Sequence, residues 1–335
     1  MIRDELLKSL LPLRAVLVTG KGGVGKTTVA SSLARFAAQN GKRVLITEIA
    51  NEDATTSALA DALGVAKITA EPQEISPNLR IAALTPTLGH QRFLRDVLPM
   101  KILADAAMKS AAIRRFLTAA PTFPEMGVLY RLLDLVRAKR KDGSVEHEMI
   151  IVDLPATGHA LALAQIPASL LRIIPTGPIA AAVRDGLELL IDPAQTGAVV
   201  VTLPETLPVS EAIELVRGIG EHHIPLAQVI VNRVPFDPFS EEEKDFVRTL
   251  LEEQPPTLGE RTLERIDRAR VALARITSAV SVPVGVVHDV WLDGPRLAEE
   301  LASLLSMPTS TRGPIPVEQV DGAPVSSPGG KKGVA

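Results

Sequence analysis

A glycine-rich loop between a predicted strand and a predicted helix constrains this chain more than any other part of its sequence. Residues 20–28 read GKGGVGKTT and fit the phosphate-loop pattern G-x-x-x-x-G-K-[ST]. Residues 14–18 before the loop form an apolar run that predicts a short buried strand, and residues 27–40 after it have helical periodicity, with Gly41 as a stop. Strand, loop and helix in this order predict an α/β fold that holds a polyphosphate at the helix N-terminus.

The residue types in this loop predict a site for a nucleoside triphosphate and Mg²⁺. Glycines let successive backbone N–H groups turn toward one point, and Lys26 is expected to reach the β- and γ-phosphates. The hydroxyl of Thr27 is expected to hold Mg²⁺. The alternative is a turn that only connects strand and helix. Lys21 is a second lysine that the minimal pattern does not require. The candidate nucleotide-binding residues are Gly20, Lys21, Gly22, Gly23, Val24, Gly25, Lys26, Thr27 and Thr28.

Composition narrows the class of protein further. Of the 335 residues, 46% are apolar and only 3% are aromatic, which predicts a large core of aliphatic side chains. The net charge is −3 and there is no basic stripe, so we expect no nucleic-acid partner. Since the chain has no cysteine, disulfides and thiolate metal sites are excluded, and a cytoplasmic protein is expected. No apolar run reaches the roughly 18 residues of a membrane span, so we expect no direct membrane insertion.

Six further apolar runs alternate with helical stretches and predict a doubly wound, mostly parallel sheet. Several of these runs are apolar on both faces, as is typical of central parallel strands that helices cover on both sides. In such a sheet ligands bind outside the carboxyl ends of the strands, which is where the phosphate loop is expected. The predicted strands cover residues 43–47, 79–84, 149–153, 198–202, 228–232 and 282–287.

Two long helical stretches interrupt the alternation and predict a helical subdomain above the sheet edge. They cover residues 86–141 and 159–191, inserted into a P-loop domain of residues 1–306. Residues 307–335 are rich in Pro, Gly and Ser and predict a disordered tail. Methionines in or beside the first stretch are candidates for an apolar groove that binds a client, or else for core or dimer contacts: Met100, Met108 and Met126.

A second candidate segment follows the predicted strand that ends at Asp153. An acidic residue at the end of an apolar strand suits a phosphate-bound Mg²⁺, which it would hold through water. The loop after it contains Pro155, Thr157, Gly158 and His159, and is expected to sense the γ-phosphate and change shape on hydrolysis. The alternative is an ordinary turn from strand to helix.

Two segments together resemble a known family. Residues 21–28 resemble the deviant Walker A loop of the dimeric ATPases. Residues 153–159 resemble the Asp-x-x-Pro-Thr-Gly-His segment of the arsenical-pump and tail-anchored-protein-targeting ATPases, with Ala156 in place of the proline before Thr-Gly-His. The resemblance covers about residues 14–305. It implies a P-loop NTPase fold that uses ATP and Mg²⁺ and couples hydrolysis to transport or targeting, through a membrane partner or an apolar client.

The resemblance also implies roles for single residues. Lys21 matches the lysine that reaches the partner subunit's nucleotide, which requires a homodimer or a related ATPase subunit and would neutralise transition-state charge. Asn232 matches the strand-terminal Asn that recognises adenine; the alternative is an Asn that closes a strand-end turn. His159 is expected to form hydrogen bonds within its own loop rather than to bind a metal.

Departures from the family pattern limit these expectations. Glu48 stands where the family has the Asp that positions the attacking water, so hydrolysis is expected to be slow, or Asp53 contributes. The alternative for Glu48 is a structural carboxylate at a strand end. Without cysteine the chain has neither a thiolate metalloid site nor a bridging zinc. Two other functions stay open: a partition or positioning ATPase, and a slowly hydrolysing, nucleotide-gated interaction module.

Overall fold

A computed structural model of the chain describes residues 9–50, 56–97, 123–155, 171–172, 175–252, 258–290, 292, 294–306 and 317–319. The strands in this part are β1 (Ala15–Gly20), β2 (Val44–Ile49), β3 (Gln73–Ser76), β4 (Leu79–Leu84), β5 (Met149–Asp153), β6 (Thr196–Thr202), β7 (Leu226–Val234), β8 (Val284–His288) and β9 (Val317–Gln319). The helices are α1 (Lys26–Gln39), α2 (Ala58–Leu63), α3 (Pro86–Val97), α4 (Phe123–Arg137), α5 (Pro178–Ile191), α6 (Thr206–Glu221), α7 (Glu241–Glu252), α8 (Leu258–Ala279) and α9 (Gly294–Ser306).

The strands form one sheet in the order β3-β4-β2-β5-β1-β6-β7-β8-β9. Seven neighbouring strands, from β4 to β8 in this order, are parallel, and antiparallel β3 and β9 close the two edges. The order reverses direction on either side of β1, so the prediction of a doubly wound, mostly parallel sheet is confirmed. The central strands β1, β5 and β6 are buried along their whole length because their Val, Ile, Leu and Ala side chains are covered on both faces.

Helices cover both faces of the sheet with two aliphatic layers. One layer contains buried side chains of α4, α5, α6 and α8, and the other contains those of α1, α2 and α9. Helices α4 and α5 come from the two stretches predicted as a subdomain above the sheet edge. Both helices contribute buried side chains to the layer on the sheet face, so these two do not stand apart from the core. The helical subdomain as a whole stays a prediction. Met126 on α4 is a buried core residue, which favours the core alternative, while Met100 and Met108 lie outside the described residues.

The edge strands are the elements that the sequence pattern did not predict. β3 has the sequence QEIS, with a single apolar residue, and is defined by its pairing with β4 rather than by its own composition. β9 lies within the predicted disordered tail, and its three residues pair with β8. The structure therefore differs from the prediction at Val317–Gln319. The other domain boundaries remain predictions.

A buried histidine just before β5 makes the stability of this fold depend on pH. His147 precedes β5 and is only 2% exposed. Burial lowers the pKa of His147 to about 4; Glu146 opposes this shift, and nearby arginines, Arg80 foremost, add to it. Since the unfolded side chain has a pKa near 6.5, the unfolded chain binds more protons between these two values. The stability that neutral His147 supports is therefore present above about pH 6.5 and is lost as the pH falls toward 4.

We expect His147→Gln to flatten the pH dependence of the free energy of unfolding. The wild-type value should fall by up to about 3 kcal/mol more than that of the variant between pH 6.5 and 4. Urea unfolding at several pH values measures both. His222→Gln, at a partly exposed position after α6, is the control and should keep the wild-type dependence. Parallel curves for wild type and His147→Gln would contradict the assignment.

Candidate functional site

The phosphate loop joins β1 to α1 and contains two positions that require glycine. Gly20 ends β1 with a φ of +152°, and a Cβ there would collide with the carbonyl oxygen of Val201 on β6. Gly25 has a φ of +89° at the N-cap of α1, and a Cβ there would collide with the side-chain amide of Asn232. Because no side chain caps α1, its first backbone N–H groups remain available to an anion.

The side chains that follow the loop meet the end of β5. Thr27 Oγ1 donates a hydrogen bond to Asp153 Oδ2 at 2.6 Å, across 126 residues of chain. Lys26 Nζ donates to the backbone carbonyl of Lys21 at 2.9 Å, which holds the ammonium against the loop. Burial lowers the pKa of Lys26, and Asp153 opposes this shift. The structure thus brings together the three residues predicted to hold phosphate and Mg²⁺.

Asp153 has the donor atoms and the electrostatic surroundings of a cation site. Burial raises its pKa to about 6, although the Thr27 hydrogen bond and Lys26 lower it; Glu48 adds to the rise. Its second oxygen, Oδ1, is buried and has no hydrogen-bond partner among the described residues. A buried unpaired carboxylate oxygen beside a threonine hydroxyl fits a hard cation such as Mg²⁺. Thr27 and Asp153 are therefore the residues that would hold the metal.

Glu48 lies at the same sheet edge, close enough to Asp153 to raise its pKa, and also contacts the start of α2. It pairs in register with Asp153 across β2 and β5. Its carboxylate accepts hydrogen bonds from the Ser57 hydroxyl and the Leu59 backbone N–H, at the start of α2. Burial raises the pKa of Glu48, and these two bonds lower it. These contacts favour the structural alternative for Glu48 in this conformation; Asp53 lies outside the described residues.

Asn232 has a role that the sequence did not indicate. It is 5% exposed, and its Nδ2 donates to the carbonyl oxygen of Val24 at 2.9 Å, so it supports the phosphate loop from β7. Adenine recognition by this side chain stays a prediction. The contact itself spans 208 residues and has no signal in a single sequence.

Lys21 forms an ion pair within its own chain. Its Nζ lies 3.3 Å from Glu211 Oε1 on α6, and both side chains are partly exposed, at 39% and 30%. An ion pair this exposed is weak and easily exchanged. The predicted role of Lys21 in a partner subunit stays a prediction. Of the predicted switch, Pro155 is half-buried after β5, and Thr157, Gly158 and His159 lie outside the described residues.

A cavity of about 1300 Å³ opens beside the loop. It lies at the carboxyl ends of β6, β7 and β8, where a doubly wound sheet binds its ligands. This volume exceeds the roughly 300–1000 Å³ of ordinary ligand pockets and accommodates a nucleotide. Its lining residues include Thr28, Leu203, Pro204, Asn232, Arg233 and Leu292.

Comparison with known proteins agrees with this geometry. Residues 13–176 match the family model described as anion-transporting ATPase. Over these residues, just under half of its length, the chain is similar to anion-transporting ATPases. The matched part includes the phosphate loop, Glu48 and Asp153, and it ends before the cavity-lining strands β6 to β8. Within the described ranges, none of the helices is both long and hydrophobic enough to cross a bilayer.

Three relatives are similar to this chain over different lengths. ATPase BagA of Mycobacterium tuberculosis is 27% identical over 232 residues, which are 66% of this chain and 65% of that protein. ATPase ASNA1 homolog 1 of Paramecium tetraurelia is 32% identical over 169 residues, 49% of this chain and 47% of that protein. The arsenical pump-driving ATPase of Escherichia coli is 25% identical over 284 residues, 81% of this chain and 42% of that protein. In each case the match spans less than two thirds of the relative.

We expect Asn232→Ala to weaken ATP and GTP binding by similar factors, about tenfold. Its amide holds the carbonyl of Val24, so its loss should loosen the loop whatever the base, and should lower stability by about 1–2 kcal/mol. Competition against a fluorescent nucleotide measures both affinities, and Asn40→Ala on the exposed end of α1 is the control. A loss confined to ATP would instead assign Asn232 to adenine recognition.

Proposed function

We propose that the protein is a Mg²⁺-dependent ATPase that works as a dimeric switch and couples ATP hydrolysis to transport or targeting. The hydrogen bond between Thr27 and Asp153 carries this proposal, because it joins the phosphate loop to the strand that leads into the switch segment. The similarity to anion-transporting ATPases and the ATPase names of the relatives support it.

The chain's own residues have separate tasks in this proposal. The first N–H groups of α1 and the Lys26 ammonium bind the phosphates and orient the γ-phosphate. Thr27 and Asp153 would hold Mg²⁺, which would neutralise charge on the β- and γ-phosphates. Glu48 aligns the attacking water after its hydrogen bonds to Ser57 and Leu59 are exchanged.

The switch runs from Asp153 into the segment that contains Pro155, Thr157, Gly158 and His159. A change at the phosphates alters the Thr27–Asp153 contact, and the segment directly after β5 moves in response. The free energy of binding at the γ-phosphate is thereby transmitted to residues 156–174, which follow it in the chain.

The dimer is part of the proposal because Lys21 has no required task in its own loop. Its ion pair with Glu211 is solvent-exposed, so a partner's phosphate can compete for the lysine at small cost. A cation supplied in this way acts in the manner of an arginine finger. The partner in transport or targeting is an apolar client or a membrane protein. The chain binds it without thiolate groups, because it has no cysteine.

A second candidate function is a nucleotide-gated interaction module that hydrolyses ATP slowly. The hydrogen bonds of Glu48 to Ser57 and Leu59 favour it, since they occupy the carboxylate that would align the attacking water. Turnover at saturating ATP separates the two. We expect a wild-type rate per subunit that rises with protein concentration as dimers form, and that far exceeds the rate of Lys26→Ala. Equal rates for the two proteins would favour the module.

A further inference from the structure

An arginine directly after Asn232 has a backbone conformation that its own side chain disfavours. Arg233 has a φ of +56°, in the left-handed region. Glycine adopts this region readily, whereas a residue with a long side chain there is an outlier. The pairing of β7 with β8 shifts register between Val231 and Val234, so Arg233 lies in an irregular step of the ladder. Such steps redirect side chains, and strained residues of this kind cluster at ligand sites.

The side chain that this backbone directs is an available cation. Arg233 is exposed, lines the large cavity, and makes no hydrogen bond or ion pair with any residue in the described part of the chain. Of the three other arginines that line the cavity, Arg265 is paired with Asp289 and Arg268 with Glu264, each at 2.7 Å. The third, Arg261, is exposed on α8 and, unlike Arg233, does not lie at the strand end beside the phosphate loop. Arg233 therefore offers an uncompensated guanidinium to whatever enters the cavity.

Its position favours the base rather than the phosphates. The phosphate end already has Lys26 and the N–H groups of α1, whereas the cavity walls near the ends of β6 and β8 include apolar Leu203, Pro204 and Leu292. Apolar walls and a planar cation suit a flat heterocycle, on which a guanidinium stacks. One amide N–H of Asn232, at the same strand end, is used by the carbonyl of Val24.

We propose that Arg233 is the base-binding residue of this site: its guanidinium stacks on the purine of the bound nucleotide, and the left-handed backbone at the end of β7 exists to place it there. This inference rests on the proposed function, because it takes the cavity to be the nucleotide site.

The test compares a nucleotide with its phosphates alone. Calorimetry with MgADP and with inorganic tripolyphosphate is applied to wild type, Arg233→Leu and Arg233→Lys, with Arg217→Leu on the exposed face of α6 as control. We expect Arg233→Leu to weaken ADP binding about tenfold, within the range of cation–π contacts, and to leave tripolyphosphate binding unchanged. Arg233→Lys should resemble Arg233→Leu, because lysine keeps the charge but lacks the plane.

Three binding results would overturn the inference: unchanged ADP affinity in Arg233→Leu, equal losses for ADP and tripolyphosphate, or full rescue by lysine. Failure of the wild type to bind ADP at all would overturn the proposed function instead. A stability measurement adds a readout that does not depend on the ligand. Since Asn tolerates the left-handed region, Arg233→Asn should raise the thermal midpoint by about 2 °C or more while it loses ADP affinity. A lowered midpoint would make Arg233 a structural residue and contradict the proposal.

Discussion

Replacing Lys26 by alanine should weaken ATP binding at least about 100-fold, whereas replacing Lys21 should spare binding and reduce turnover about 1000-fold. Lys26 is held within the loop, where each charge-assisted hydrogen bond to phosphate contributes about 1.5–3 kcal/mol. Lys21 points outward to Glu211 and contributes only when a partner's transition state needs a cation, for which finger residues supply about 10³-fold or more. Binding of a fluorescent ATP analogue and steady-state turnover measure the two effects, with exposed Lys67→Ala as control.

Mixing the two inactive variants tests whether Lys21 acts across the dimer. In a mixed dimer the Lys26→Ala subunit still supplies its Lys21 to the nucleotide bound by the Lys21→Ala subunit. Random pairing should then restore about a quarter of the wild-type turnover, since half of the dimers are mixed and each has one complete site. No recovery on mixing, or an equal loss of ATP affinity in both variants, would rule out the role in trans.

The elements that the sequence predicted are those whose signal is local. A parallel strand that helices cover on both faces is mostly aliphatic, and such a run can be recognised in the sequence. β4 and β5 accordingly begin and end at the predicted residues. The phosphate loop could be predicted because its glycines meet a requirement of the backbone. The positive φ values at Gly20 and Gly25 disfavour every other residue type. β3 was missed because its pairing partner, and not its composition, makes it a strand.

The parts of the site that sequence reasoning missed depend on contacts between distant segments. Asn232 reaches Val24 across 208 residues, and Glu48 is held by Ser57 and Leu59 only because α2 begins beside the end of β2. No spacing rule connects such residues. The strain at Arg233 is likewise a property of how β7 meets β8 and leaves no trace in residue type. The family resemblance supplied residue roles, but it did not supply the conformations that Glu48, Asn232 and Lys21 have here.

Asp153→Asn should lower the rate of Mg²⁺-dependent turnover by about 100-fold or more. It should leave the fold at least as stable as that of the wild type. The amide oxygen of Asn can still accept the hydrogen bond from Thr27, but it lacks the charge that a Mg²⁺ site requires. In the metal-free protein that charge is costly, since burial raises the pKa of Asp153 to about 6 and Oδ1 has no partner among the described residues. Removing it should raise the free energy of unfolding at pH 7.5 by about 1–3 kcal/mol.

The two effects of this substitution separate a functional carboxylate from a structural one. Urea unfolding gives the stability, and titration of Mg²⁺ at constant ADP gives the metal dependence of nucleotide binding, which should vanish in Asp153→Asn. Thr27→Val is the matched variant, because it removes the hydroxyl from the other side of the same 2.6 Å contact and should lose the same metal dependence. If Asp153→Asn lost stability and kept its response to Mg²⁺, Asp153 would be a structural residue, and the connection from the phosphate loop to the switch would not pass through this contact.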